Sequence, residues 1–192
     1  MKGSGVACIV NQKWAKHHWE TVVFSPYLLN IKFLFQNLQI NVWTIYAAPS
    51  DLLILQNSFN IITEQYTQNL NTNQFHIITG DFNQIYDDRI NHSPPPESHK
   101  NHHRHFELLI NLNFFDTYKE LYPEDAAFTW TNGTIATRID QIWMSEEAEG
   151  LIEASFVSDS ALITDSDHQI FTTILNTSEL IPNNYSDSSK EH

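Results

Sequence analysis

The chain carries one cysteine, five glycines and two methionines in 192 residues, and only 10 Lys and Arg against 23 Asp and Glu. A lone Cys8 excludes an internal disulfide and fits a reducing compartment. No apolar run approaches the roughly 20 residues of a membrane-spanning helix. Met1 to Val10 is too short and too weakly apolar for a secretory signal. The expectation is a soluble intracellular protein, nuclear or cytoplasmic, with no membrane partner. The shortage of cations leaves a net charge of −13, from 10 − 23 with His neutral. That sign opposes steering toward a polyanion, so contact with nucleic acid needs a bound cation or a local basic patch.

What is present suffices for one substantial core, since 41% of residues are hydrophobic. One domain is expected over residues 1–175, followed by a tail, 176–192, rich in Asn, Ser, Asp and Glu that frays. Gly3 to Val10 reads as a turn feeding a buried strand, and Trp19 to Phe24 as a second. Ile31 to Phe35 and Leu38 to Tyr46 read as a hairpin, with Ile40, Val42, Thr44 and Tyr46 on one face. Ser50 can cap a helix whose Leu52, Leu55, Phe59, Ile62, Tyr66 and Leu70 recur three and four apart. A strand from Phe75 then completes a strand, helix, strand unit, which favours a right-handed crossover.

That strand runs Phe-His-Ile-Ile-Thr-Gly-Asp-Phe-Asn from Phe75 to Asn83, so Asp81 and Asn83 stand two residues apart after a glycine turn. If the backbone stays extended, both side chains share one side at a strand's carboxyl end, where open α/β sheets keep their chemistry. A carboxylate beside a carboxamide suits a site that orients a water. Asp and Asn are also ordinary turn formers, so the stretch by itself decides nothing.

Farther on, His92, His99, His102, His103 and His105 invite a metal reading, but they lie around Pro94-Pro95-Pro96 without ligand spacing and read as a solvated loop. Phe106, Leu109, Ile110 and Leu112 make a short helix stripe, and Phe114 to Tyr122 reads as irregular packing. Phe128 to Trp130, Arg138 to Met144, Ile152 to Val157 and Gln169 to Leu175 read as strands, with the polar turn Asp165-Ser166-Asp167-His168 before the last.

The ordered set Tyr-Ala-Ala-Pro from Tyr46, Gly-Asp-Phe-Asn from Gly80, Arg-Ile-Asp-Gln-Ile-Trp from Arg138 and Ser-Asp-His from Ser166 resembles the endonuclease/exonuclease/phosphatase superfamily of deoxyribonuclease I-like enzymes. Asp116-Thr117-Tyr118, with Phe128 to Gly133 leading into Thr137 to Asp140, is similar to the endonuclease domains of non-LTR retrotransposons. The resemblance covers roughly Gly3 to Leu175. It implies an α/β fold of two mostly antiparallel sheets face to face with helices outside, incomplete at the amino terminus. It also implies a divalent-metal-dependent phosphodiester hydrolase of endonuclease type, using Mg²⁺ or Mn²⁺ on DNA.

Carried over residue by residue, the resemblance makes His168 the partner of the scissile phosphate, oriented by Asp140. Asp167 becomes a metal ligand, Asp81 the group that orients or deprotonates water and a further possible ligand, Asn83 its neighbour, and Tyr46 a phosphate contact. The family's usual metal-binding Glu, on strands that precede the equivalent of Gly3, has no counterpart, and Glu20 stands in the wrong place to replace it. Two alternatives follow: an inactive remnant that binds a partner through an unpaired sheet edge, and a phosphatase for a small phosphoester such as a phosphoinositide.

Overall fold

A computed structural model describes residues 5–178, except 37, 50, 70–72, 88–90, 96–105, 162 and 164. Its centre is a six-stranded sheet. β1 (His18–Ser25), β2 (Leu28–Phe35) and β3 (Leu38–Tyr46) form an antiparallel meander. The helix α2 (Leu52–Gln68) then crosses over to β4 (Gln74–Asp81), which runs parallel to β3. The far side is closed by β9 (Asp140–Met144) against β4 and β6 (Phe115–Asp116) against β9, giving the order β1-β2-β3-β4-β9-β6. The described residues form two smaller sheets as well, β10 (Ile152–Ser158) with β11 (Ile170–Leu175), and β5 (His92–Ser93) with β8 (Ala136–Thr137) and β7 (Trp130–Thr131).

Alternation along the central strands builds two cores, one on each face. Leu28, Trp43, Ile45, Ile78 and Trp143 face α2, whose Leu55, Phe59, Ile62 and Tyr66 are buried, and α3 (Glu107–Ile110) adds Leu109. Ile31, Phe33, Ile40, Phe75 and Met144 face the other way, where Ile152 and Leu175 of the two-stranded sheet pack with Cys8, Val10 and Trp14. The architecture is therefore two face-to-face sheets with helices outside, as the resemblance implied.

Three expectations need revision, and a fourth falls mostly outside the described residues. Residues 5–11 form no strand; the segment lies over the sheet with Cys8 and Val10 turned inward and Ile9 in solvent, then closes in the one-turn helix α1 (Gln12–Ala15). Asp51 caps α2, accepting from the Leu53 backbone N–H at 3.1 Å, while Ser50 lies outside the described residues. Phe114 to Tyr122 contains β6 and the helix α4 (Thr117–Leu121), whose cap is Asp116. Of the five histidines only His92 is described, as part of β5.

Candidate active site

Register builds the site. Tyr46 pairs with Asp81 at the end of β3 and β4, and Asp81 pairs with Asp140 across β4 and β9. Cross-strand partners project to the same face, so three consecutive strands deliver a phenol and two carboxylates side by side. Their parity is that of Ile40, Ile77 and Met144, so they open into the gap between the sheets. From the opposing sheet, the turn before β11 brings His168 over them, and its Nδ1 lies 2.8 Å from Asp140 Oδ2. Asp81, Asp140 and His168 each offer an atom within 4.8 Å of the others.

Gly80 makes this convergence possible. It has φ +141, and a Cβ there would collide with the backbone carbonyl of Ile45 on the neighbouring strand. Extended geometry ends at Asp81, and Asn83 adopts φ 46. Asn83 nonetheless stays beside Asp81. Its backbone N–H donates to Asp81 Oδ1 at 2.9 Å, and its Nδ2 donates to Oδ2 at 2.9 Å and to the Ala47 carbonyl at 2.6 Å. The pairing expected from an extended strand is thus achieved by a tight turn.

A cleft of about 400 Å³ is lined by Tyr46, Pro49, Asp81, Asn83, Trp130, Thr137, Ile139 and His168. Burial raises the Asp81 carboxyl to about 6, helped by the nearby Asp140 charge and opposed by the Asn83 hydrogen bonds. His168 is raised above the ordinary imidazole value, chiefly by its hydrogen bond to Asp140. Two adjacent carboxylates, one half-dehydrated and protonating early, make a site short of positive charge. That donor set, with His168 beside it, is one that could hold a hard divalent cation.

Asp167 behaves differently. It is exposed and turned onto the indole of Trp130, whose Nε1 donates to its Oδ2 at 2.8 Å, and this bond lowers its pKa. It lies outside the group formed by Asp81, Asp140 and His168. Glu20, on the edge strand β1, is ion-paired with Lys32 at 2.7 Å.

The profile of the endonuclease/exonuclease/phosphatase family matches residues 7–168. The chain belongs to this family. Among solved structures, a 3′ phosphatase from Neisseria bound to a product DNA hairpin is similar at 18% identity and TM-score 0.64, over 80% of this chain and 66% of the other. An abasic-site endonuclease from Archaeoglobus fulgidus gives 17% and 0.58, over 79% of this chain and 65% of the other. The endonuclease domain of TRAS1, a telomere-specific non-LTR retrotransposon, gives 14% and 0.59, over 82% and 68%. The chain thus spans less than two thirds of the length of the first two. No curated protein matches it.

Within the family fold, two neighbours of the site carry no catalytic motif of their own. Thr129 Oγ1 accepts from the backbone N–H groups of Ile139 at 3.2 Å and Asp140 at 3.0 Å, and the Trp130 backbone bridges to His168. Both belong to the Phe-Thr-Trp stretch already singled out for its resemblance, and that adjacency was the available signal. Among the described residues no helix is long and apolar enough to cross a membrane.

Proposed function

We propose that the protein is a divalent-metal-dependent phosphodiester hydrolase of the retroelement endonuclease type, acting on DNA. The observation that carries this reading is the meeting of His168, from one sheet, with Asp140 and Asp81, paired in register on the other. DNA as substrate is supported by the DNA hairpin on the Neisseria phosphatase and by likeness to the TRAS1 domain.

Hydrolysis of a phosphodiester builds negative charge on a non-bridging oxygen and on the leaving oxygen. With Nδ1 directed at Asp140, the imidazole of His168 keeps Nε2 for a phosphate oxygen, and its raised pKa favours the protonated, donating form. Asp81, held by Asn83, accepts a proton from the attacking water in its ionised form. Tyr46 closes the row at the β3 end and contacts the phosphate. Asp81 and Asp140 would hold Mg²⁺ or Mn²⁺, and Asp167, the ligand that the resemblance implies, has Oδ2 on the Trp130 indole and keeps Oδ1 for the cation. The cation supplies charge neutralisation at the phosphate.

The test is Mg²⁺- or Mn²⁺-dependent nicking of supercoiled plasmid. His168→Ala and Asp81→Ala are each expected to lower the rate by roughly 10²–10⁴-fold with unchanged circular dichroism. Absence of nicking at every metal concentration would refute the hydrolase and leave the inactive binding module.

A further inference from the structure

Ser160 Oγ donates to the His168 carbonyl, and the other bonds that set His168 against Asp140 come from one dipeptide at the start of β7. Thr129 fixes the backbone of Asp140 through its hydroxyl, and its carbonyl accepts the Gln169 backbone N–H at 2.6 Å. The next residue, Trp130, bridges to His168 by backbone and binds Asp167 by side chain. Thr129 and Trp130 therefore hold both partners of the His168–Asp140 bond, which come from residues 28 apart in sequence. Among the described residues the indole–carboxylate bond is a side-chain tether from this dipeptide to the His168 turn. Around that tether the turn is open, since Asp165, Ser166 and Asp167 are all exposed.

We infer that Trp130 is a positioning residue: through Asp167 it pins the Asp165–His168 turn so that His168 Nδ1 faces Asp140. Asp167 then serves as an anchor whose carboxylate acts on the indole, whatever cation the neighbouring carboxylates hold. The inference rests on the hydrolase reading only for its catalytic consequence, because the clamp is built from this chain's own side chains. An indole N–H donating to a carboxylate is a charge-assisted hydrogen bond, stronger than one between neutral groups. Removing it is thus enough to shift a surface turn from one dominant position to a mixture.

The test reads the imidazole directly. In metal-free protein, with EDTA present and histidine labelled with ¹⁵N, the Nδ1 proton of His168 is expected far downfield and slow to exchange, and His168→Gln assigns it. Trp130→Phe keeps the ring and removes the donor, and the signal is expected to broaden away or move to the position of a solvent-exposed histidine. Asp167→Ala, a change at an exposed side chain, is expected to do the same. Asp167→Asn should restore the signal, because its amide oxygen still accepts from the indole. A sharp, unshifted His168 proton in both Trp130→Phe and Asp167→Ala would overturn the clamp. So would its loss in Asp167→Asn with retention in Trp130→Phe. Failure of plasmid nicking by the unmodified protein leaves this readout intact, so the two readings stand or fall separately.

Discussion

Gly80 shows how far the cleft depends on a missing atom. β3 and β4 approach each other so closely at Ile45 and Gly80 that a side chain on Gly80 would meet the Ile45 carbonyl, and its φ of +141 is strained for any L side chain. Gly80→Ala must either part the strands that align Tyr46 with Asp81 or hold an unfavourable backbone. We expect a loss of about 3 kcal/mol or more, which lowers the melting temperature by roughly 6–12 °C. A melt within about 2 °C of the unmodified protein would show that the strands do not meet as described. At this scale the sequence was informative wherever one motif places one residue at a strand end, as with Tyr46, Asp81 and Asp140. It was less so for Asp167, whose carboxylate direction is decided by Trp130, 37 positions away.

Elements are held around the site by a buried charge that sequence pattern could not reveal. Arg138, fully buried just before β9, binds Asp116 through two bonds of 3.0 and 2.6 Å, and its Nε donates to Asn91 Oδ1 at 3.1 Å. Its guanidinium also lies 5.5 Å from the Tyr118 ring of α4 and 6.0 Å from the Phe171 ring of β11. Asp116 in turn caps α4. One side chain thus ties β9, α4 and β11 together next to the strand that carries Asp140. Arg138→Met strands a buried carboxylate, and a cost of about 3–5 kcal/mol is expected from urea unfolding. Arg138→Met with Asp116→Leu removes both charges and should recover part of that loss; a double variant less stable than the single one would contradict the buried pair. The same paired residues explain why Phe114 to Tyr122 looked irregular in sequence. Its order comes from Arg138 and from pairing with β9, both remote in the chain. The hairpin β2–β3 and helix α2 were legible because alternation and a 3.6-residue period are local signals. The segment over residues 5–11 misled for the opposite reason: its apolar run is short, and Cys8 and Val10 are buried by lying across the sheet.

For the molecule as a whole, acidity sets the balance between the titrating groups of the two faces. His76 lies in the core between Trp43, Tyr66 and Phe114, accepts from Trp43 Nε1 at 3.1 Å, and has its Nε2 buried with no partner. Burial lowers its pKa to about 4, against 6.5 for the free side chain. The unfolded chain therefore takes up a proton that the native state refuses. Through this group stability is full above about pH 7, falls as pH drops through 6.5, and levels off only below about 4. The difference amounts to about 3 kcal/mol. Asp81 acts in the opposite direction, since a native value of about 6 against 3.8 makes its protonation favour the native state between those two values. His168 also opposes His76: its pKa is raised, so its contribution is present at low pH and lost as pH rises through its native value. The measured profile of the unmodified protein is the sum of these, and only a difference isolates the core histidine. His76→Asn keeps an acceptor for Trp43 and removes the titration. Between pH 7 and 4, urea unfolding should show the unmodified protein losing about 3 kcal/mol relative to this variant. Parallel profiles would mean that the ring already binds its proton in the folded state, and that the face of the sheet packed by α2 is wetter than its burial indicates.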